Sequence, residues 1–333
     1  MIEPIDDYID FSNPLWSDMK AASDQFMYQG KHYVAISRVD PCYVFIYNKN
    51  VIESEGFDDP AELYANGEWN WDTFAEMCTE FTDAEKDKYA LDGWYYENAI
   101  TASTGKPLIG MEDGKIVNNI SSPEIAKAQN MMYDLQKNGV VYPKNENNWQ
   151  IRGNAYGTGI ASGETLFYPI GLWAIEDAPS VTAPYGDISA GEVMFVPVPC
   201  ASDSDAQYVP SRVHGYCIVK DAKNPEGVAA WLDCTRYAEI DESVHNIGLE
   251  QLQNDYGWTD EMLEMRDTIY DLAEQHPVFE FSQGISPDVS TLTDTIIKGT
   301  MNPAGTSTWS EIVQSNEQAL DFLINEAQEN IDS

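Results

Sequence analysis

Tyr43-Val44-Phe45-Ile46-Tyr47-Asn48-Lys49 is the stretch on which the fold turns. An unbroken aromatic and β-branched run ends at a turn former, Asn48, so a strand is predicted over residues 43–47. Val51-Ile52 and Glu55-Gly56-Phe57-Asp58-Asp59-Pro60 follow, then Trp69-Asn70-Trp71-Asp72-Thr73-Phe74. There Asp72 is a candidate cap for a helix whose apolar face is Phe74, Met77, Cys78 and Phe81. Upstream, Gly30-Lys31-His32-Tyr33 leads into a second predicted strand, residues 33–37.

Working outward, the same alternation continues. Ser122-Pro123-Glu124 supplies a cap, a first-turn proline and a first-turn acid; Ile125, Ala128, Met132 and Leu135 recur on one face, and Gly139 ends the helix. Asn224-Pro225-Glu226 repeats the device before Val228, Trp231 and Leu232. Thr259 opens a helix carrying Met262, Leu263, Ile269, Tyr270 and Leu272, and residues 309–331 read as a last helix with Ile312, Leu320 and Leu323. Strands are predicted at 166–170, 192–198 and 215–220, and Asp113-Gly114 turns a hairpin between 108–110 and 116–117. Alternating strands and helices predict an α/β protein with mainly parallel sheets. Residues 177–187 and 201–207 read as exposed connections.

The chain has 333 residues, 43% of them apolar and 12% aromatic, enough for two bodies with real cores. Acids outnumber bases 56 to 18, for a net charge of −38, which argues against nucleic acid or an anionic membrane as a partner. An acidic surface serves solubility first, with a cationic ligand as the alternative. The five cysteines, Cys42, Cys78, Cys200, Cys217 and Cys234, include no C-x-x-C, and their odd number leaves at least one thiol without an intramolecular partner. No apolar run reaches transmembrane length.

Taken in order, the segments at 30–33, 47–60 and 69–74, with Gly163-Glu164-Thr165 leading into Gly171-Leu172-Trp173, resemble the family 1 extracellular solute-binding proteins. These are the maltose-binding-like sugar receptors of ABC importers. The resemblance implies a type II periplasmic-binding-protein-like fold: two α/β lobes, a hinge and an interlobe cleft. It implies a partial N-terminal lobe of residues 1–42 and 214–283, and a C-terminal lobe of 43–213 and 284–333. Chain crossings are expected at 43–47, at 209–215 and near 281–287. Residues 4–10 already resemble an internal part of the pattern, so the N-terminal lobe is expected to be incomplete. The acidic start, Met1-Ile2-Glu3-Pro4-Ile5-Asp6-Asp7, has no basic end or apolar core of a signal peptide. An extracellular, lipid-anchored or periplasmic receptor is implied, partnered by a carbohydrate and by permease subunits, and monomeric when complete.

A sugar cleft needs flat rings for the C–H face of a pyranose and directional polar groups for its hydroxyls. Trp173 is the first candidate, its alternative being a core tryptophan. Asp40 and Tyr43 flank the first crossing and are cleft groups, or else a surface acid and a core ring. The resemblance places an acid and an aromatic at Asp92 and Trp94, ahead of a helix-like stretch at 99–104. Arg212 and His214 sit at the second crossing, where a structural ion pair is the favoured use of Arg212. Trp309 corresponds loosely to a C-terminal sugar-stacking aromatic, with helix packing as its alternative. Trp69 and Trp71 read as a structural lock on their helix.

Catalytic and metal patterns fail on context. Gly157-Thr158-Gly159 with Gly163 is not G-x-G-x-x-G, Gly105-Lys106 lacks the rest of a P-loop, and no H-E-x-x-H occurs. No metal site and no cofactor are expected. A carbohydrate hydrolase needs two carboxylates about the scissile bond, but abundant acids make chance pairs inevitable. That enzyme, or an acidic adhesin or interaction module, remains the alternative to a sugar receptor.

Overall fold

In the computed structural model, which describes residues 1–143, 159–301 and 307–332, the opening run forms the strand Val44–Asn48 inside a four-stranded sheet. Its neighbours are Thr165–Ile170 on one side and Val193–Val196 on the other, with Tyr89–Leu91 beyond. Every residue of Val44–Asn48 is buried, as in a sheet covered on both faces. Gly157 and Thr158 lie outside the described residues.

The helix Trp71–Phe81 covers this sheet with the expected face: Phe74, Met77, Cys78 and Phe81 are all buried. Burial of each large side chain contributes about 1.5–3 kcal/mol. The cap is Asn70, not Asp72. Asn70 is extended (φ −142°) and accepts from the backbone N–H groups of Asp72 and Thr73, whereas Asp72 is already helical and places its charge in the first turn. The expected lock is present. Trp69 donates its indole N–H to the Pro197 carbonyl and Trp71 donates to that of Pro199, each at 2.8 Å. Both rings are buried, so the start of the helix is fastened to the chain leaving the sheet.

The sheets are not mainly parallel. Among the described residues, the strands that pair in parallel are Tyr89–Leu91 with Thr165–Ile170 and Pro277–Val278 with Val209–Tyr216, beside isolated parallel bridges at Asn70–Cys200 and Leu91–Val141. Ala35–Pro41 and Val209–Tyr216 run antiparallel because one brings the chain to the main sheet and the other takes it away. Likewise Ile170, ending its strand, pairs with Val44, starting its own. The strand predicted at 33–37 is shifted to Ala35–Pro41, and the one at 215–220 divides into Val209–Tyr216 and Ile218–Val219. Gly215 is required here: a Cβ would lie 2.6 Å from Val34 Cγ1 and 2.9 Å from the Ala35 carbonyl oxygen.

Caps at Ser122, Asn224 and Thr259 open the helices Pro123–Lys137, Pro225–Ile240 and Asp260–Gln275. The hairpin Ile109–Glu112 with Lys115–Asn118 turns on Asp113 and Gly114, both at positive φ. The helices Lys49–Glu55, Glu242–Tyr256 and Pro287–Ile297 are additional. Glu242–Tyr256 buries only Leu252, so it carries almost no apolar period to read. The segment 177–187 is not a plain exposed loop: Tyr185 is fully buried, edge-on to Tyr168.

Four apolar clusters hold these elements. Two small ones join the first forty residues to later chain: Ile5, Trp16, Ala35, Ile218 and Leu232 in one, Met19, Ile36, Val39, Ala273 and Phe279 in the other. A third packs the hairpin and Ile125 against the last helices through Val289, Trp309, Ile312 and Leu320. The largest surrounds the four-stranded sheet. Trp258, Met262, Met265 and Ile269 also belong to it, and Trp258 donates to the Ile175 carbonyl at 2.9 Å. The helix Asp260–Gln275 thus packs across the boundary expected between 214–283 and the main sheet.

Candidate binding cleft

Three segments far apart in sequence lie side by side in the order Pro277–Val278, Val209–Tyr216, Ala35–Pro41. Pro277–Val278 comes a few residues before the crossing expected at 281–287. A cavity of about 320 Å³ opens at the ends of all three, lined by Tyr43, Thr101, Lys106, Arg212, Glu280 and Gln283 among others. Its polar groups are hydroxyls, amides and charged ends, and its flat surface is Tyr43. That ring stacks on Tyr95, with centroids 5.1 Å apart and planes 19° apart. Burial raises the Tyr43 hydroxyl above its ordinary pKa, so it enters the cavity as a neutral donor.

Beside the cavity lies a cluster of charges on one face of the paired strands. The register sets Asp40 opposite Arg212 and Arg38 opposite His214. Asp40 is 4% exposed. It accepts from Arg38 Nε at 2.8 Å, lies 2.7 Å from His214 Nε2 and stands 3.9 Å from Arg212 Nε. Arg38 also reaches Glu239 at 3.0 Å. A carboxylate buried to this degree is tolerable only with such partners. The carboxyl of Glu176 is raised by burial, with Asp40 adding to the effect and Arg266 opposing it. Cys42, at the turn between the strands, has its thiol pushed up to about 11 by burial, with Arg212 opposing.

Trp173 lies in the short turn Leu172–Ala174 and is 50% exposed. Its indole folds over Gly171, where a Cβ would stand 2.5 Å from the ring and 3.1 Å from the Cys42 carbonyl oxygen. Only glycine permits that approach, and it sets an open aromatic face next to the cavity-lining Cys42.

Asp40, Arg212 and His214 therefore meet, Tyr43 and Arg212 share the cavity, and Trp173 stands beside them. Asp92 and Trp94 are placed differently. Asp92 has no exposed surface and accepts from the Gly93 N–H at 2.7 Å. Trp94 is half-buried against the main core. Trp309 is 3% exposed inside the third cluster, so its ring is helix packing and offers no face to a ligand. A helix-start tryptophan next to Ile312 on the same apolar face goes where that face goes.

Sequence reasoning passed over Arg38, Tyr95, Lys106 and Glu280. Arg38 is two residues from Asp40, which on a strand means the same face. Tyr95 sits inside the dense run Trp94-Tyr95-Tyr96. Glu280 carried no local signal. Its carboxylate accepts from the N–H groups of Leu108 (2.7 Å), Ile109 (3.2 Å) and Ser282 (3.0 Å), tying the chain just after Pro277–Val278 to the hairpin. Burial raises its pKa, and these N–H groups oppose the rise.

All five cysteines are free. Among the described residues no helix is long and apolar enough to cross a membrane, and no group of metal-ligating side chains gathers.

Solved structures share this architecture. A cyclic alpha-maltosyl-1,6-maltose binding protein from Arthrobacter globiformis is similar at TM-score 0.66 and 13% identity, over 98% of this chain and 80% of that one. An ABC substrate-binding protein from Listeria monocytogenes, solved with cycloalternan, is similar at TM-score 0.62 and 16% identity, over 99% and 79%. UgpB from Mycobacterium tuberculosis, solved with glycerophosphocholine, is similar at TM-score 0.61 and 13% identity, over 98% and 79%. At these identities the likeness establishes the fold: a periplasmic-binding-protein-like α/β fold of the two-lobed kind. No curated protein matches the chain. The family model described as bacterial extracellular solute-binding protein matches residues 1–246, well over half of the sequence. The chain belongs to the bacterial extracellular solute-binding protein family.

Proposed function

We propose that this protein captures a sugar or oligosaccharide at the joined strand ends and delivers it to the permease of an ABC importer. The observation that carries the reading is the exposed ring of Trp173 packed over Gly171 next to Cys42, which with Tyr43 lines a polar cavity. Rings of this kind take the C–H face of a pyranose; Gln283 and Arg212 are in position to bind hydroxyls. Asp40 and His214 act behind them, holding Arg212 and the strand pair in place. The sugar-binding titles of several similar structures support the ligand class.

The division into 1–42 with 214–283, and 43–213 with 284–333, forms part of this reading. Residues 257–269 act as a brace between the two. Sugar that touches both bodies stabilises the arrangement in which they are closest, so capture is a population shift. No bond is broken. The receptor works outside the cytoplasm, held at the cell surface by a lipid or free in the periplasm.

Tryptophan fluorescence titrated with mono- and oligosaccharides tests the reading, with mass spectrometry of the same samples. A saturable change with intact sugar is expected. Cleaved sugar would overturn it in favour of a hydrolase, and silence across the panel would remove carbohydrate as the ligand.

A further inference from the structure

The charges of the cavity run against those of the chain. Acids outnumber bases 56 to 18 in the sequence, yet the charged lining residues are two cations, Lys106 and Arg212, and one acid, Glu280. The acid is already engaged, its oxygens turned to the backbone N–H groups of Leu108, Ile109 and Ser282.

The cations have donors to spare. Lys106 has no carboxylate in ion-pair range among the described residues. Arg212 is 56% exposed along its side chain, and the single described carboxylate in range is Asp40, 3.9 Å from Nε and beyond hydrogen-bond distance. Asp40 is held more closely by Arg38 and His214. The chain's net charge of −38 does not cancel this local excess, because salt screens charges beyond about 8 Å under physiological conditions.

We infer that the ligand is an acidic sugar, one whose oxyanion is held between Lys106 and the guanidinium of Arg212 while its ring lies on Tyr43. The inference rests on the sugar-receptor reading and narrows it. An arginine fork and a lysine point charge both suit carboxylate and sulfate, so uronates and sulfated sugars share the chemistry. A neutral sugar would leave both cations without a counter-charge in the cavity, and a cationic ligand would be repelled there despite the acidic surface.

Isothermal titration with trigalacturonate, its neutral methyl ester and a sulfated disaccharide tests this. At least one acidic probe is expected to bind about tenfold or more tightly than the ester, the scale of one charge-assisted hydrogen bond. Trigalacturonate ahead of the sulfated sugar identifies a carboxylate, and the reverse order a sulfate. Arg212→Gln and Lys106→Gln should each erase most of the preference for the acid while far-ultraviolet circular dichroism stays unchanged. Ester binding as tight as the acids, or a preference that survives both substitutions, overturns the acidic-sugar assignment and leaves the sugar reading standing. No binding of any of the three, with neutral oligosaccharides equally silent, overturns both.

Discussion

Trp69 and Trp173 belong to the same body of the molecule and are treated in opposite ways. At the head of the Trp71–Phe81 helix, Trp69 is 3% exposed, touches Phe74 and Phe167, and its N–H is bonded to Pro197. At the Gly171 turn, Trp173 is half in solvent with its ring lying on a glycine. The first has all its surface and its one donor committed to the fold. The second has a large apolar face uncommitted, which costs hydration free energy and, on the proposed function, is where the sugar would lie. Residue type alone does not separate a core tryptophan from an exposed one; the packing of the fold does.

Three substitutions would break or sharpen that contrast. The largest expected effect is Trp69→Ala, which deletes a buried ring and leaves the Pro197 carbonyl unpaired. A loss of about 3–5 kcal/mol in denaturant-derived stability is expected, and a loss under 1 kcal/mol, the size of a surface change, would deny that this region is a lock. Trp173→Ala should change stability by no more than about 0.5 kcal/mol. It should nevertheless weaken sugar binding by about 2 kcal/mol, the scale of an aromatic hot spot. Unchanged affinity with an intact fold would remove Trp173 from the site. The smallest effect is expected for Trp309→Phe. That change keeps an aromatic ring in the third cluster and removes an indole N–H that is buried without a partner among the described residues. Stability should shift by about 1 kcal/mol or less with no change in sugar affinity; a large affinity loss would restore Trp309 to the site.

The cavity and the charge cluster differ in a related way. Both use the same strand pair, but Asp40 is closely approached by Arg38 at 2.8 Å and His214 at 2.7 Å, whereas among the described residues no carboxylate lies within hydrogen-bond distance of the cavity-lining Lys106 or Arg212. Arg212 belongs to both, since its β register puts it across from Asp40 while its length carries the guanidinium out of the cluster. The expected structural pair is therefore real but loose, and the side chain remains available to a ligand.

Much of the fold could be read before any coordinates. Local chemistry sufficed for the strand at 43–47, for the caps at Ser122, Asn224 and Thr259, and for the hairpin at Asp113-Gly114. Each depends on neighbours within a few residues: a hydroxyl or amide reaching the N–H of the next turn, a glycine free to take positive φ, an unbroken β-branched run. The role of Trp69 and Trp71 was also legible, because they head an amphipathic helix.

Other features are decided by chain segments that meet only in three dimensions. Asn70 caps in place of Asp72 because its backbone is the extended one, and both residues are chemically able to cap. Antiparallel pairing follows from the direction in which distant strands pass each other, which no local pattern encodes. Trp309 and Trp173 look alike in sequence and separate only when one apolar face packs on Val289 and Leu320 and the other meets a glycine. The cavity brings together residues 43, 106, 212 and 280 from separate segments. Sequence by itself determined many of the elements and the family, since local hydrogen bonding and periodicity are properties of adjacent residues. Which charges are spent and which stay open was settled by tertiary structure alone, because a carboxylate's partner is whatever the fold brings within about 3 Å.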